Sequence, residues 1–423
     1  MSNNKLPEQS LNTSASTLNY RLYLVCFMAM AVSFPMGVIS IAKFLMLSGG
    51  LFVLISEGWR RSVVTRISDF GRTTTAILIV LAGLSMSLLW TTAAFGEASH
   101  ALSKHAKLLL IPLILLLIRT RPEASLATAC FLGAQIFVLL CSWLKLFQVA
   151  LPFPTQPSTL YQGLVFAEHL DQPIMLTTAL AVGWHLRSRY PLGGFRGGTT
   201  TTALLLLTVA NVLFAQTGLT GFLAMVVVVG LAGFWALPKR YKWVTVAGPF
   251  LVAAAIGVMS PKVQDRIRLV WIESVNYQHS GDIESSSGER LNYWNRSLQA
   301  VAERPILGYG VGSWNMQYNR LEGGKGRLHT YQIRSPHQEY LLWMVEAGVL
   351  GLVLLLYLFA CVTRDTHQMG QSERHAATSV LAVIVLSCLF NSTLFDAQIG
   401  DFLCVALGLC LALGLRNTDQ RHN

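Results

Sequence analysis

Apolar runs of about 15 to 22 residues recur along this chain, and few folds can hold them. In a bilayer such a run crosses as a helix, because a helix satisfies its own backbone hydrogen bonds where no water can. The approximate spans are 21–38, 39–56, 73–93, 105–118, 124–150, 168–187, 199–216, 218–237, 243–259, 337–362, 376–393 and 398–415. Composition agrees: 53% of residues are hydrophobic and 13% charged, against about 25% charged in a soluble domain. The pattern predicts an all-α integral membrane protein, a single polytopic domain over 1–423 with about 12 transmembrane helices. Residues 1–18 are polar, with one lysine and no cleavage site, and are expected to form a disordered cytoplasmic tail.

The net charge of +11 raises the question of nucleic acid, and the placement of the basic residues answers it. Arg60, Arg61, Arg66, Arg72, Arg119, Arg121, Arg187, Arg189, Arg196, Lys239, Arg240, Lys242, Arg364 and Arg374 fall in alternate connections. With the termini, that side holds more than half of the 32 Lys and Arg residues, while 150–168 and 394–398 hold none. The positive-inside rule puts both termini in the cytoplasm, so the charge is topological and no nucleic-acid partner is expected. All seven cysteines lie in apolar segments, which suits small buried side chains better than disulfides or a zinc site.

One connection is long. Residues 260–336, between transmembrane helices 9 and 10, form a large loop on the opposite side, with helical patterning inside it. Ser260 and Pro261 read as a helix start, with Val263, Ile267 and Val270 at helical spacing, suiting a short helix at the membrane surface. Ser286 and Glu289 have capping-box spacing, and Leu291, Trp294, Leu298 and Val301 continue that helix to Pro305. The glycine-rich 308–314 run follows a helix and a proline, so it reads as a tight surface turn and not a dinucleotide loop.

Ser335 and Pro336 place His337 in the first turn of the next helix. There an imidazole can serve as base or hydrogen-bond partner, or simply sit at the interface. Arg290 opens a capped helix, and a guanidinium fork suits phosphate oxygens, although any single loop arginine also suits solvent. Lys104 and Lys107, beside His100 and His105, either snorkel or bind an anion at the same face. His169 opens the sixth span between Glu168 and Asp171. Glu346 lies too far along its helix to pair with His337 and needs another partner. No HExxH motif or paired acids support a metal site, and GxSxG is absent.

The segment PHQEYLLWMVEAGVLG and the upstream SSGERLNYWNRSLQAVAERPILGYGVGSW together resemble the O-antigen ligase and polymerase superfamily, its ligases most of all. That resemblance implies a GT-C-like membrane glycosyltransferase of the bacterial inner (cytoplasmic) membrane, with a large periplasmic loop containing short helices. It implies transfer of polysaccharide from undecaprenyl diphosphate to lipid A–core in lipopolysaccharide biosynthesis, with no cofactor and no metal. His337 matches the family histidine and Arg290 the loop arginine near the diphosphate. The family often has an arginine where this chain has Gln216, so the donor diphosphate is expected at Arg290, Lys104, Lys107 and Gln216. His169, Trp294 and Glu346 are supporting positions. The rivals are a polymerase of the same superfamily and, from another class, a lipid-linked glycan transporter.

Overall fold

The computed structural model describes residues 8–56, 59–157, 163–188, 197–216, 218–242, 244–245, 247–248, 251, 261–281, 283–323 and 334–414. Its helices are α1 (Glu8–Ala31), α2 (Met36–Ser56), α3 (Trp59–Met86), α4 (Phe95–His105), α5 (Leu110–Leu117), α6 (Arg121–Leu146), α7 (Asp171–Leu186) and α8 (Gly197–Phe214). They continue as α9 (Leu219–Ala236), α10 (Pro261–Ser280), α11 (Ser286–Glu303), α12 (Trp314–Leu321), α13 (Glu339–Thr366), α14 (Gln371–Phe390) and α15 (Ala397–Leu413). Among the described residues there is no strand, and all seven cysteines are free.

Among the described residues, seven segments are long and apolar enough to cross a membrane: Met36–Ser56, Gly71–Leu89, Phe95–Leu117, Arg121–Leu146, Leu219–Ala236, Glu339–Thr366 and Gln371–Phe390. Tyr20–Ala31, Thr201–Phe214 and Ala397–Leu413 are apolar but shorter. The span expected at 168–187 is the 16-residue α7, below the ~17 residues a bilayer asks for. The one expected at 243–259 lies mostly outside the described residues. The first helix begins at Glu8, so residues 8–18, expected as disordered tail, are helical; Pro7 and Glu8 are a good helix start, and no breaker follows.

Helix α15 is the centre of the bundle. Residues 399–413 are all buried, as expected of a helix that is apolar all round. It packs on α5, α14, α6 and α7, while α13 packs along α3. Three charged side chains inside the bundle show how such groups are partnered, because an unpaired one in an apolar surround is costly. Lys43 Nζ lies 2.7 Å from Asp401 Oδ2. Asp365 Oδ2 accepts from Thr73 N at 2.8 Å. Lys145 Nζ donates to Gln156 O and Leu164 O at 2.6 and 2.7 Å.

Helix α13 is broken at Ala347 (φ −132°, ψ 15°) and Gly348 (φ 65°, ψ −157°). The freed backbone groups are taken up by the glycine-rich segment: Tyr309 N donates to Val345 O at 2.9 Å, Gly310 N to Glu346 O at 2.7 Å, and Val349 N to Pro305 O at 2.7 Å. On its other side the same segment pairs with the turn after α3, with Thr92 N donating to Tyr309 O at 2.9 Å. The backbones approach too closely for any Cβ. One on Gly310 would collide with the Thr91 backbone, and one on Gly348 with Ile306. Both glycines also have positive φ, at 89° and 65°. The run expected as a surface turn is therefore a buried wedge, since Gly308, Tyr309, Gly310 and Val311 are all buried.

Candidate active site

Gln338, not Ser335, caps α13: its side chain accepts from Leu341 N at 2.5 Å. His337 thus stands just before the helix rather than in its first turn, and adopts a left-handed backbone (φ 52°). Histidine enters that region more readily than most residues, at a cost of about 1–2 kcal/mol. The Pro336 ring holds the chain before it, and Gln338 N donates to Ser392 Oγ at 3.1 Å after it. A side-chain contact, and not the helix terminus, orients the ring. His337 Nδ1 is 3.2 Å from Asn391 Oδ1. A carbonyl oxygen there accepts, which keeps the ring proton on Nδ1 and the lone pair on Nε2. Nε2 takes no hydrogen bond among the described residues.

Helix α11 closes one flank. Its N-cap is Ser285, whose side chain accepts from Gly288 N at 3.2 Å, one residue earlier than the capping-box spacing predicts. Glu289 is instead engaged by the Tyr293 hydroxyl. The Tyr293 ring lies over His337, centroids 6.2 Å apart, and Trp294 Nε1 donates to Pro336 O at 3.1 Å. Arg290 is three and four residues before these two, and so on the same face of α11. Two further loop arginines form ion pairs within the loop, Arg296 Nε to Glu322 at 2.6 Å and Arg320 to Glu303.

The other flank is the short 391–396 connection, held by Glu339. This buried carboxylate accepts from Leu394 N and Phe395 N at 3.0 and 3.2 Å through one oxygen, and from Trp343 Nε1 at 2.8 Å through the other. Lys107 Nζ donates to Phe395 O at 3.0 Å and Asp396 O at 2.5 Å, so it braces this connection from inside. Lys104 is half-buried, its ammonium 4.2 Å over the Phe395 ring. The Asp396 carboxyl is pushed above the usual carboxylate range by burial, with His337, Lys104 and Lys107 pulling it back.

Trp294 lies beside His337; Lys104 and Lys107 sit on the 391–396 connection that holds the imidazole, and Arg290 is on the adjoining helix face, while Gln216, His169 and Glu346 lie elsewhere. Gln216 is buried in a different network, where its Nε2 donates to Ser142 and Asn211 at 3.2 and 2.9 Å. Only its Oε1 remains, an acceptor that repels phosphate. The backbone carbonyl of His169 packs against Gly218, at the α8–α9 connection. Glu346 pairs with the buried His105, Oε2 to Nε2 3.0 Å, and its Oε1 accepts from Gly312 N at 2.8 Å. Sequence reading passed over Tyr293, Asn391, Glu339 and Asp396. The signal for three of them was there, in polar residues at the junction of two apolar spans and an acid opening a third. Among the described residues, no group of three or more His, Cys, Asp or Glu side chains could hold a metal ion.

Taken together, these are an imidazole of fixed tautomer with an open nitrogen and cations on the neighbouring elements. Such a set can accept a proton and stabilise an anion. Over 268 residues, 59% of the chain, the sequence is 24% identical to a Haemophilus influenzae protein described only as uncharacterized, and spans 62% of that relative. The family model for O-antigen ligase matches residues 203–356, a stretch that holds Arg290, Trp294, His337 and the α13 break. The chain is a multi-pass helical membrane protein, and over residues 203–356 it is similar to the O-antigen ligase family.

Proposed function

We propose that this protein is an O-antigen ligase, moving a polysaccharide from undecaprenyl diphosphate to a sugar hydroxyl of lipid A–core. The observation that carries the reading is the His337–Asn391 contact beside the helix that bears Arg290. The acceptor hydroxyl attacks the anomeric carbon, the bond to the lipid diphosphate breaks, and that diphosphate leaves with the electron pair. His337 Nε2 takes or orients the hydroxyl proton. Arg290 and Lys104 balance the leaving charge, without a metal, and an in-line displacement inverts the anomeric centre. Lys107 and Gln216 drop out of the donor set, because Lys107 is buried on two backbone carbonyls and both amide N–H donors of Gln216 are used within the protein. Twelve crossings, cytoplasmic termini and a periplasmic loop over 260–336 in the inner membrane belong to the same reading, from the placement of basic residues. Partnered charges at Lys43, Lys145 and Glu346 speak against a transporter, which needs mobile ones.

The test is a transfer assay with purified protein, lipid-linked glycan and lipid A–core, in EDTA. Glycan on lipid A–core is the expected product. Longer lipid-linked glycan instead makes the protein a polymerase, and no product in either form removes the transferase reading.

A further inference from the structure

Between α4, Gly312 and Phe395 lies a cavity of about 270 Å³, just below the usual range of small-molecule pockets and suited to one sugar unit. Glu97 and His100 of α4, Gly312, Asn315, Arg334 and Phe395 line it. His337 is not part of its lining, but two of the lining residues lead to it. Arg334 is three residues before His337, and Phe395 belongs to the 391–396 connection that holds the imidazole. Helix α11 and Arg290 contribute nothing to its lining.

The lining is chemically uneven. Arg334 donates to His100 Nε2 at 2.7 Å, which fixes the guanidinium and keeps His100 an acceptor and neutral. Lys104 interacts electrostatically with both. Against these stands one carboxylate, Glu97, exposed at the rim. Asn315 offers an amide to sugar hydroxyls, and Phe395 an apolar wall. We propose that this cavity receives the phosphate-bearing sugar of the acceptor saccharide, with Arg334 as the phosphate ligand. The proposal rests on the transferase reading above and deepens it. Phosphate fits because a guanidinium fork matches its oxygens in pairs, with Lys104 adding a second charge. The acceptor fits better than the donor because the donor diphosphate has Arg290 on the α11 flank, and an in-line attack brings its nucleophile from elsewhere.

The experiment uses the full chain in lipid nanodiscs and lipid A–core either intact or stripped of phosphate. Steady-state transfer is read at saturating donor, and acceptor binding is read separately by calorimetry. Arg334→Ala is expected to raise the acceptor KM and Kd about tenfold, the lower end for a charged hydrogen bond at an exposed site, with kcat and donor KM within about twofold. Glu97→Gln is expected to act the other way, tightening the acceptor about twofold by removing a repelling charge. Both effects should vanish with the dephosphorylated acceptor. Equal effects on both acceptor forms overturn the proposal, as does a rise in donor KM, which makes the cavity part of the diphosphate site. Loss of binding in both variants also overturns it, because a structural role has no opposite signs. If the wild type binds acceptor but transfers nothing, the transferase reading fails, and calorimetry alone still decides the cavity.

Discussion

Segments 305–312 and 391–396 both grip α13, the first at its break and the second at its N-terminal end. The first works through the backbone. Its hydrogen bonds replace the helix bonds that Ala347 and Gly348 forgo, and its glycines exist because no side chain fits between the strands of chain. The second works through side chains, with Glu339 and Lys107 fixing the connection and Asn391 fixing His337. A region held by backbone fit tolerates no added atoms, while one held by side chains can lose a contact and keep its shape. An added atom in the first region should therefore cost stability, while a lost contact in the second should cost activity beyond any loss of stability.

The largest expected effect is in the wedge. Gly310→Ala puts a Cβ into the Thr91 backbone at positive φ, and is expected to cost more than about 3 kcal/mol, read as loss of folded protein in thermal unfolding. A well-folded Gly310→Ala protein breaks the comparison. Next, Glu339→Leu leaves two backbone N–H groups and an indole N–H unsatisfied, so a loss of about 3 kcal/mol or more is expected by the same measurement. Transfer should fall further than stability, since the connection that holds His337 loosens.

Asn391→Ala sharpens the contrast, with unfolding expected within about 1 kcal/mol of wild type but transfer down about tenfold, because the imidazole keeps its place and loses its tautomer lock. Equal losses in both would put Asn391 with the wedge. The smallest effect concerns Asp396. Its folded carboxyl titrates above the unfolded value, so ionisation costs the folded state more, and stability falls as pH rises through the folded pKa. Asp396→Asn should thus be slightly more stable than wild type at pH 7, with the difference gone below the unfolded carboxylate pKa of about 3.9. A gain that persists in acid rules out this cause.

Hydropathy made the helices of the bundle legible, because each buried or lipid-facing span writes its length directly into the chain. It did not reveal how short α7 is, at 16 residues, since a helix buried among other helices reads the same as one in lipid. The glycines at 308, 310 and 312 were visible, yet their burial was not. A close backbone approach and a surface turn ask for the same residue, and only the partner, here the break in α13, tells them apart. His337 and Trp294 could be placed because their motif is local. Asn391 could not, being 54 residues away from the histidine it orients. The partners of Lys107 and Gln216 were hidden for the same reason: the sequence shows a donor group but not whether the protein has already used it.

The central claim is that His337 acts on the acceptor hydroxyl and not on the donor. The most direct measurement is His337→Ala, with transfer and binding of a lipid-linked diphosphate read separately in protein shown to be folded and inserted. Transfer should fall about 10²-fold or more, with diphosphate binding within about twofold of wild type, whereas Arg290→Ala should weaken both and Arg290→Lys restore only part. Near-normal transfer in His337→Ala would contradict the claim and leave that histidine a structural residue at the membrane interface.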